Sequence, residues 1–209
     1  MLSGDMLHAD YAAHFAMAFL FSDQRGLDPS LVQNKGSVIP YSRNLSISAA
    51  RQNGATHVLF IDTDQTFPHD TAVRLLDRLQ KDRSALVVAG SLRKRVPPHT
   101  LCHVEMDGSP GHLEPDETGV REVSKIGTGC MLIDMHVFLD MKRPYFYFSS
   151  DDGRDAPLGE DYNFCNDVRK NGGKILLDCD LSHQLGHIGQ HTIFTTVRET
   201  GIAAIGGKE

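Results

Sequence analysis

The chain has 209 residues, 40% hydrophobic and 23% charged, with a formal net charge of -6. That is enough for one sizeable domain with its own core, and the acidic balance argues against bulk attraction to nucleic acid. No apolar run approaches the length that spans a bilayer, and Asp5, His8 and Asp10 stand where a secretory signal needs an apolar stretch.

The four cysteines, Cys102, Cys130, Cys165 and Cys179, have no CxxC spacing. This speaks against a zinc knuckle and for a reduced, cytoplasmic protein whose thiols pack as small hydrophobes.

In chain order, residues 5–22 predict a helix with Met6, Tyr11, Phe15, Met17, Phe19 and Leu20 on its apolar face. Residues 23–39 are turn-rich, with a short strand expected near Leu31 to Gln33. Pro40 opens a second helix that Asn53-Gly54 closes. Val58 to Ile61 is a short run of strand formers, apolar on both faces, as expected of a central strand. Pro68 starts a helix through Leu79, and Ala85 to Gly90 is another buried strand. The basic run Arg93-Lys94-Arg95 follows. Residues 101–106 and 119–123 are expected to pair as a hairpin, and 126–134 to form one strand. Met135 to Met141 reads as a short helix, Tyr145 to Phe148 as strand-like, and 151–157 as a polar loop. A helix over 160–170 ends at Asn171-Gly172-Gly173, Lys174 to Asp178 is the last core strand, and 190–209 is a tail expected to fray. Alternating helices and strands followed by strand pairs predict an α/β domain with a mixed, mostly parallel sheet between helices.

The chemistry concentrates at the end of the 58–61 strand. Asp62 and Asp64 stand two apart where it stops, and ligands of open α/β sheets bind beyond the carboxyl ends of strands. Two such carboxylates repel unless a cation lies between them. A hard divalent ion accompanied by a phosphate suits the place. As bare local structure the pair would instead be turn and capping residues ahead of Pro68. Glu160 and Asp161 open a helix whose dipole favours ionised acids. They read as a general base and its neighbour, or as a plain stabilising pair.

Four stretches taken together resemble the GT-A type of nucleotide-sugar glycosyltransferase, in particular its family-2-like members: Arg43-Asn44 in a helix leading to the strand, FIDTD, IGTGCMLID, and GEDYNFCNDVRKNGGKILLD followed by HQLGHIG. The resemblance covers residues 38–189 and implies a GT-A (Rossmann-like) domain over 1–189. It implies transfer of a sugar from a UDP- or GDP-type donor to an unidentified acceptor hydroxyl, with Mn2+ or Mg2+. Asp62 would face ribose and metal, Asp64 and His187 would bind metal, with His183 the rival histidine. Asp161 would be the base and Glu160 its partner, while Arg43, Asn44 and Arg93 would serve the donor. The resemblance also implies a strand ahead of the first helix, where this sequence has only Met1 to Gly4. Three other readings compete. Asp62-Thr63-Asp64-Gln65-Thr66 also matches the haloacid-dehalogenase phosphatase pattern, with Asp62 as nucleophile. A nucleotidyltransferase and a non-catalytic nucleotide-sugar-binding domain share the fold.

Overall fold

A computed structural model describes residues 7–34, 36–150 and 157–189, and the backbone of 193–194. Helix α1 (Ala9–Gln24) and helix α2 (Ile39–Gln52) precede strand β1 (His57–Ile61), the short strand β2 (Gln65–Thr66), helix α3 (Thr71–Lys81) and strand β3 (Ala85–Ala89). Then come β4 (His103–Val104), β5 (Val120–Glu122), β6 (Lys125–Ile126), β7 (Cys130–Asp134) and a 3-10 turn at Met135–Phe138. Helix α4 (Glu160–Lys170), β8 (Lys174–Asp178), the one-turn helix α5 (Cys179–Ser182), β9 (Gly186–His187) and β10 (Ile193–Phe194) complete it.

The main sheet has the order β1-β7-β3-β8-β5. Its side chains alternate between two cores, as a pleated strand requires. Val87, Ala89, Met131, Ile133, Ile175 and Leu177 join Ile47 of α2 and Phe164 and Val168 of α4 on one face. Val88, Leu132 and Leu176 join Tyr11 of α1 and Leu75 and Leu79 of α3 on the other. This is the α/β layering expected, with a mixed sheet between helices. Within it β3 and β8 run parallel, and the other three ladders are antiparallel. Antiparallel pairing dominates because β7 enters from the opposite end and separates β1 from β3.

Four local expectations are corrected. First, the 101–106 and 119–123 segments do not pair with each other. β4 pairs with β6, and β5 closes the main sheet against β8, where Glu122 lies opposite Leu176. Second, the 126–134 stretch is two strands, because Gly127-Thr128-Gly129 breaks the ladder. Third, residues 31–33 and 145–148 form no strand. Fourth, β1 is an edge strand among the described residues: it pairs with β7 alone and is only half-buried along its length. Helix α1 buries Tyr11, Ala18 and Ser22 while Met17 and Leu20 stay exposed. Apolar residues surround nearly the whole helix, so periodicity could not single out the face that packs on Phe67. The polar loop at 151–156 and most of the tail lie outside the described residues.

Candidate active site

The carboxyl ends of β1 and β3 and the amino end of β7 meet at one edge of the sheet. The Asp62 amide donates to the Gly129 carbonyl (2.8 Å), and the Gly90 amide to that of Cys130 (3.0 Å). A cavity of about 120 Å³ opens there, lined by Arg43, Asp62, Gln65, Cys102, Thr128, Asp161 and His187 among others.

β1 stops at Ile61, and the chain turns through Asp62, Thr63 and Asp64 into β2. β2 pairs with β9, so Gln65 lies opposite His187. The His187 Nδ1–H donates to the Arg93 carbonyl (2.8 Å), leaving Nε2 3.4 Å from Asp64 Oδ2. A carbonyl only accepts, so this bond fixes the tautomer and turns Nε2 toward the carboxylate. Arg95 Nη1 stands 3.2 Å from the same oxygen. Burial by itself would raise the Asp64 pKa. The hydrogen bond and charge of His187, with help from Arg95, outweigh it and hold Asp64 below the usual carboxylate range. Burial would lower His187, and Asp64 with the Arg93 carbonyl raises it instead.

Across the cavity, Gly159 and Glu160 start α4. A Cβ at Gly159 would stand 2.8 Å from Asp161 Oδ1, so a residue with no side chain precedes the acids. Arg43, buried in α2, pairs with Glu160 and lies 3.6 Å from Asp62. One guanidinium therefore ties the strand-end acids to the helix-start acids. Among the described residues Asp161 has no such cation in direct contact. Burial, and then the charge of Glu160, push it up to about 6, against the partial relief of Arg43.

The structure thus gathers Arg43, Asp62, Asp161 and His187 around one cleft, with Asp64 joined to it through His187 and Glu160 through Arg43. His187 rather than His183 meets Asp64, since His183 Nε2 bonds to the Glu117 carbonyl at 2.8 Å. Asn44 is a correction: it does not line the cavity. Its amide group donates to the Pro40 and Phe146 carbonyls, each at 2.7 Å, and its oxygen accepts from the Tyr145 amide at 2.8 Å. Asn44 therefore fastens α2 to the 145–146 segment. Arg93 acts here through its carbonyl, while its guanidinium donates to the His99 carbonyl at 3.1 Å. Arg95 is the member of the basic run that reaches the acids.

Sequence reasoning missed Gln65, Thr128 and Cys102. Gln65 and Thr128 are each 1% exposed, and Gln65 Oε1 and Thr128 Oγ1 have no hydrogen-bond partner among the described residues. Leaving one such atom unpaired costs about 1–3 kcal/mol. Their signal was their position, one residue after the acids and between two glycines. Cys102, expected in the core, borders the cavity, and burial pushes its thiol up to about 11, far from a reactive thiolate.

No group of three His, Cys, Asp or Glu side chains among the described residues is arranged to hold a metal ion by itself. Asp64 and His187 do suit a cation that shares its shell with phosphate oxygens and water, the usual arrangement for Mg2+ and similar ions at phosphate sites. No helix among the described residues is long and apolar enough to cross a membrane.

No family model and no curated protein matches the sequence. Among solved structures the chain is similar to A197 from STIV, with TM-score 0.59 and 14% identity over 86% of this chain and 83% of that one. It is also similar to GalNAc-T7, solved with UDP, GalNAc and Mn2+, with TM-score 0.49 and 13% identity. That match covers 85% of this chain and spans 36% of the other. At these identities the likeness to A197 shows a common fold and nothing more.

Proposed function

We propose that the chain is a metal-dependent glycosyltransferase that moves a sugar from a nucleotide-diphosphate sugar, of UDP or GDP type, to an acceptor hydroxyl. Residues 1–189 form the catalytic unit in this reading, and 190–209 its tail. The observation that carries it is the contrast between two acids at one end of the sheet: Asp64 against His187 Nε2 and Arg95, and Asp161 partly buried beside Glu160. Asp64 is held ionised beside His187 Nε2, and Asp161 is raised to about 6.

Asp64 and His187 would hold Mn2+ or Mg2+, with Asp62 between them and the ribose. An imidazole among the ligands favours Mn2+. The bound cation would supply Lewis-acid neutralisation of the diphosphate leaving group. Arg95 adds a positive charge beside the same phosphates. Asp161 takes the proton of the acceptor hydroxyl. A group titrating at about 6 is ionised at neutral pH yet more basic than an ordinary carboxylate, as a general base needs. Glu160 is spent on Arg43 and positions Asp161 rather than moving protons. The lowered pKa of Asp64 counts against the aspartyl-phosphatase reading, where Asp64 would carry a proton near neutral pH.

The test is a thermal-shift panel of UDP, GDP and their hexose conjugates, with and without Mn2+. A ligand of the native state stabilises it by mass action, so weak donors register. Stabilisation that requires both nucleotide and Mn2+ is expected. An unmoved Tm across the whole panel would sink the reading.

A further inference from the structure

Gln65 and Thr128 are the two cavity-lining residues whose buried oxygens lack a partner. They come from different elements, β2 and the break between β6 and β7, yet border one small space. The glycine at 129 leaves room for the Gln65 side chain beside this space. At Gly129 a Cβ would overlap the Gln65 amide and approach Leu92 Cδ1 to 2.9 Å. At Gly127 it would stand 3.4 Å from Cys102 Cβ and 3.6 Å from Asp161 Oδ2. Thr128 between them presents a hydroxyl with no hydrogen-bond partner among the described residues.

The chemistry of the occupant follows from these atoms. An amide oxygen accepts only, and a threonine hydroxyl both donates and accepts. The ligand group that meets Gln65 Oε1 must therefore donate. A phosphate offers acceptors at neutral pH and would face Asp161 nearby. An ammonium would find Asp62 and Asp161 but also Arg43 and His187 on the same wall, so the lining as a whole favours neither sign. A sugar hydroxyl fits on both counts, and about 120 Å³ accommodates roughly four waters or the hydroxyl-bearing edge of one ring.

We infer that Gln65 Oε1 and Thr128 Oγ1 form the hydroxyl-recognition pair that reads the transferred hexose of the donor. This rests on the glycosyltransferase reading and deepens it. The donor sugar is the source, because Gln65 pairs in register with His187, placing the pair beside the proposed diphosphate side of the cleft. Sites built to hydrogen-bond a hydroxyl discriminate strongly against ligands lacking it, because the buried groups are then left unpaired.

The test compares the full chain with Gln65→Met and Thr128→Val, which keep shape and remove the orphaned oxygens. Melting is measured alone, with UDP or GDP plus Mn2+, with the matching hexose conjugates, and with methyl hexosides. Both variants are expected to melt at or above the parent temperature when unliganded. Both should bind the bare nucleotide as the parent does, and lose at least tenfold of the extra affinity that the hexose confers. A fall of several degrees in unliganded Tm for both variants would show that the oxygens have structural partners and overturn the pair. An intact hexose increment in both also overturns it as the donor reader. If the variants then lose only the methyl-hexoside response, the hydroxyl read is the acceptor's. A parent that binds bare nucleotide with no hexose increment overturns this inference alone. A parent blind to every nucleotide and conjugate overturns the glycosyltransferase reading as well.

Discussion

Asp64 and Asp161 flank the same cleft in opposite electrostatic fields. Asp64 has a histidine at 3.4 Å and an arginine at 3.2 Å, and these outweigh the cost of burying it. Asp161 is next to Glu160, whose nearest cation is already engaged, and burial prevails. The contrast shows that residue type does not assign a role here. One aspartate is held below the usual carboxylate range, as an anion that suits a cation. The other is tuned toward neutrality, suited to proton transfer.

The sharpest way to break the contrast is Asp64→Ala. Removing the anion should abolish Mn2+-dependent nucleotide binding in calorimetry, while Asp161→Asn leaves that binding intact. Equal binding by Asp64→Ala and the parent would remove the metal side of the comparison. Next in size, Asp161→Asn should lower transfer by about 10²–10⁴-fold.

The parent's rate should rise with pH through about 6 as Asp161 ionises. Its stability should move the other way. The native state holds this proton more tightly than the unfolded chain, whose value is near 3.8, so stability falls as pH rises from 3.8 to about 6. Chemical denaturation across that range should find the slope diminished in Asp161→Asn.

Arg43 joins the two sides. Arg43→Ala leaves Glu160 buried without its cation and should cost about 3–5 kcal/mol in urea unfolding. A near-neutral result would mean that the two acidic sides are not coupled through it.

The Asp64–His187 pair predicts a smaller, pH-dependent effect. The lowered Asp64 contributes stability present above 3.8 and lost as pH falls through its folded value. The raised His187 contributes stability present below 6.5 and lost as pH rises through its folded value. The metal-free pair is therefore complete between 3.8 and 6.5. Mn2+ must displace the His187 proton, so its affinity should increase with pH across that titration, with proton release visible in buffers of different ionisation enthalpy. His187→Gln should remove this dependence. Smallest is Arg95→Ala: its side chain is 51% exposed, so the pair with Asp64 should contribute at most about 1 kcal/mol, and less in high salt.

Legibility from the sequence varied with the range of the interaction responsible. Helix α2 from Pro40, helix α4 behind Gly159, and strands β3 and β8 were readable because local propensity and patterning agree there with burial. So were the acids at the end of β1, since a strand end is a local event. The fate of the 101–126 region was not readable, because which partner a short strand chooses depends on residues some 50 positions away, such as Leu176 opposite Glu122. The resemblance gave Asn44 to the donor together with Arg43, but successive helix residues point about 100° apart, and of the two only Arg43 lines the cleft.

By itself the sequence determined the α/β class, the placing of Asp62 and Asp64 at a strand end, and Glu160 and Asp161 at a helix start. These follow from patterns within a few residues, and short-range sterics and periodicity enforce them. Only the tertiary structure decided that His187 rather than His183 meets Asp64. It also decided that Arg43 bridges both acidic sides, that Asp161 sits near 6, and that Gln65 and Thr128 share one cavity. Each depends on groups far apart in the chain brought within a few ångströms, where burial and charge act through space rather than along the backbone.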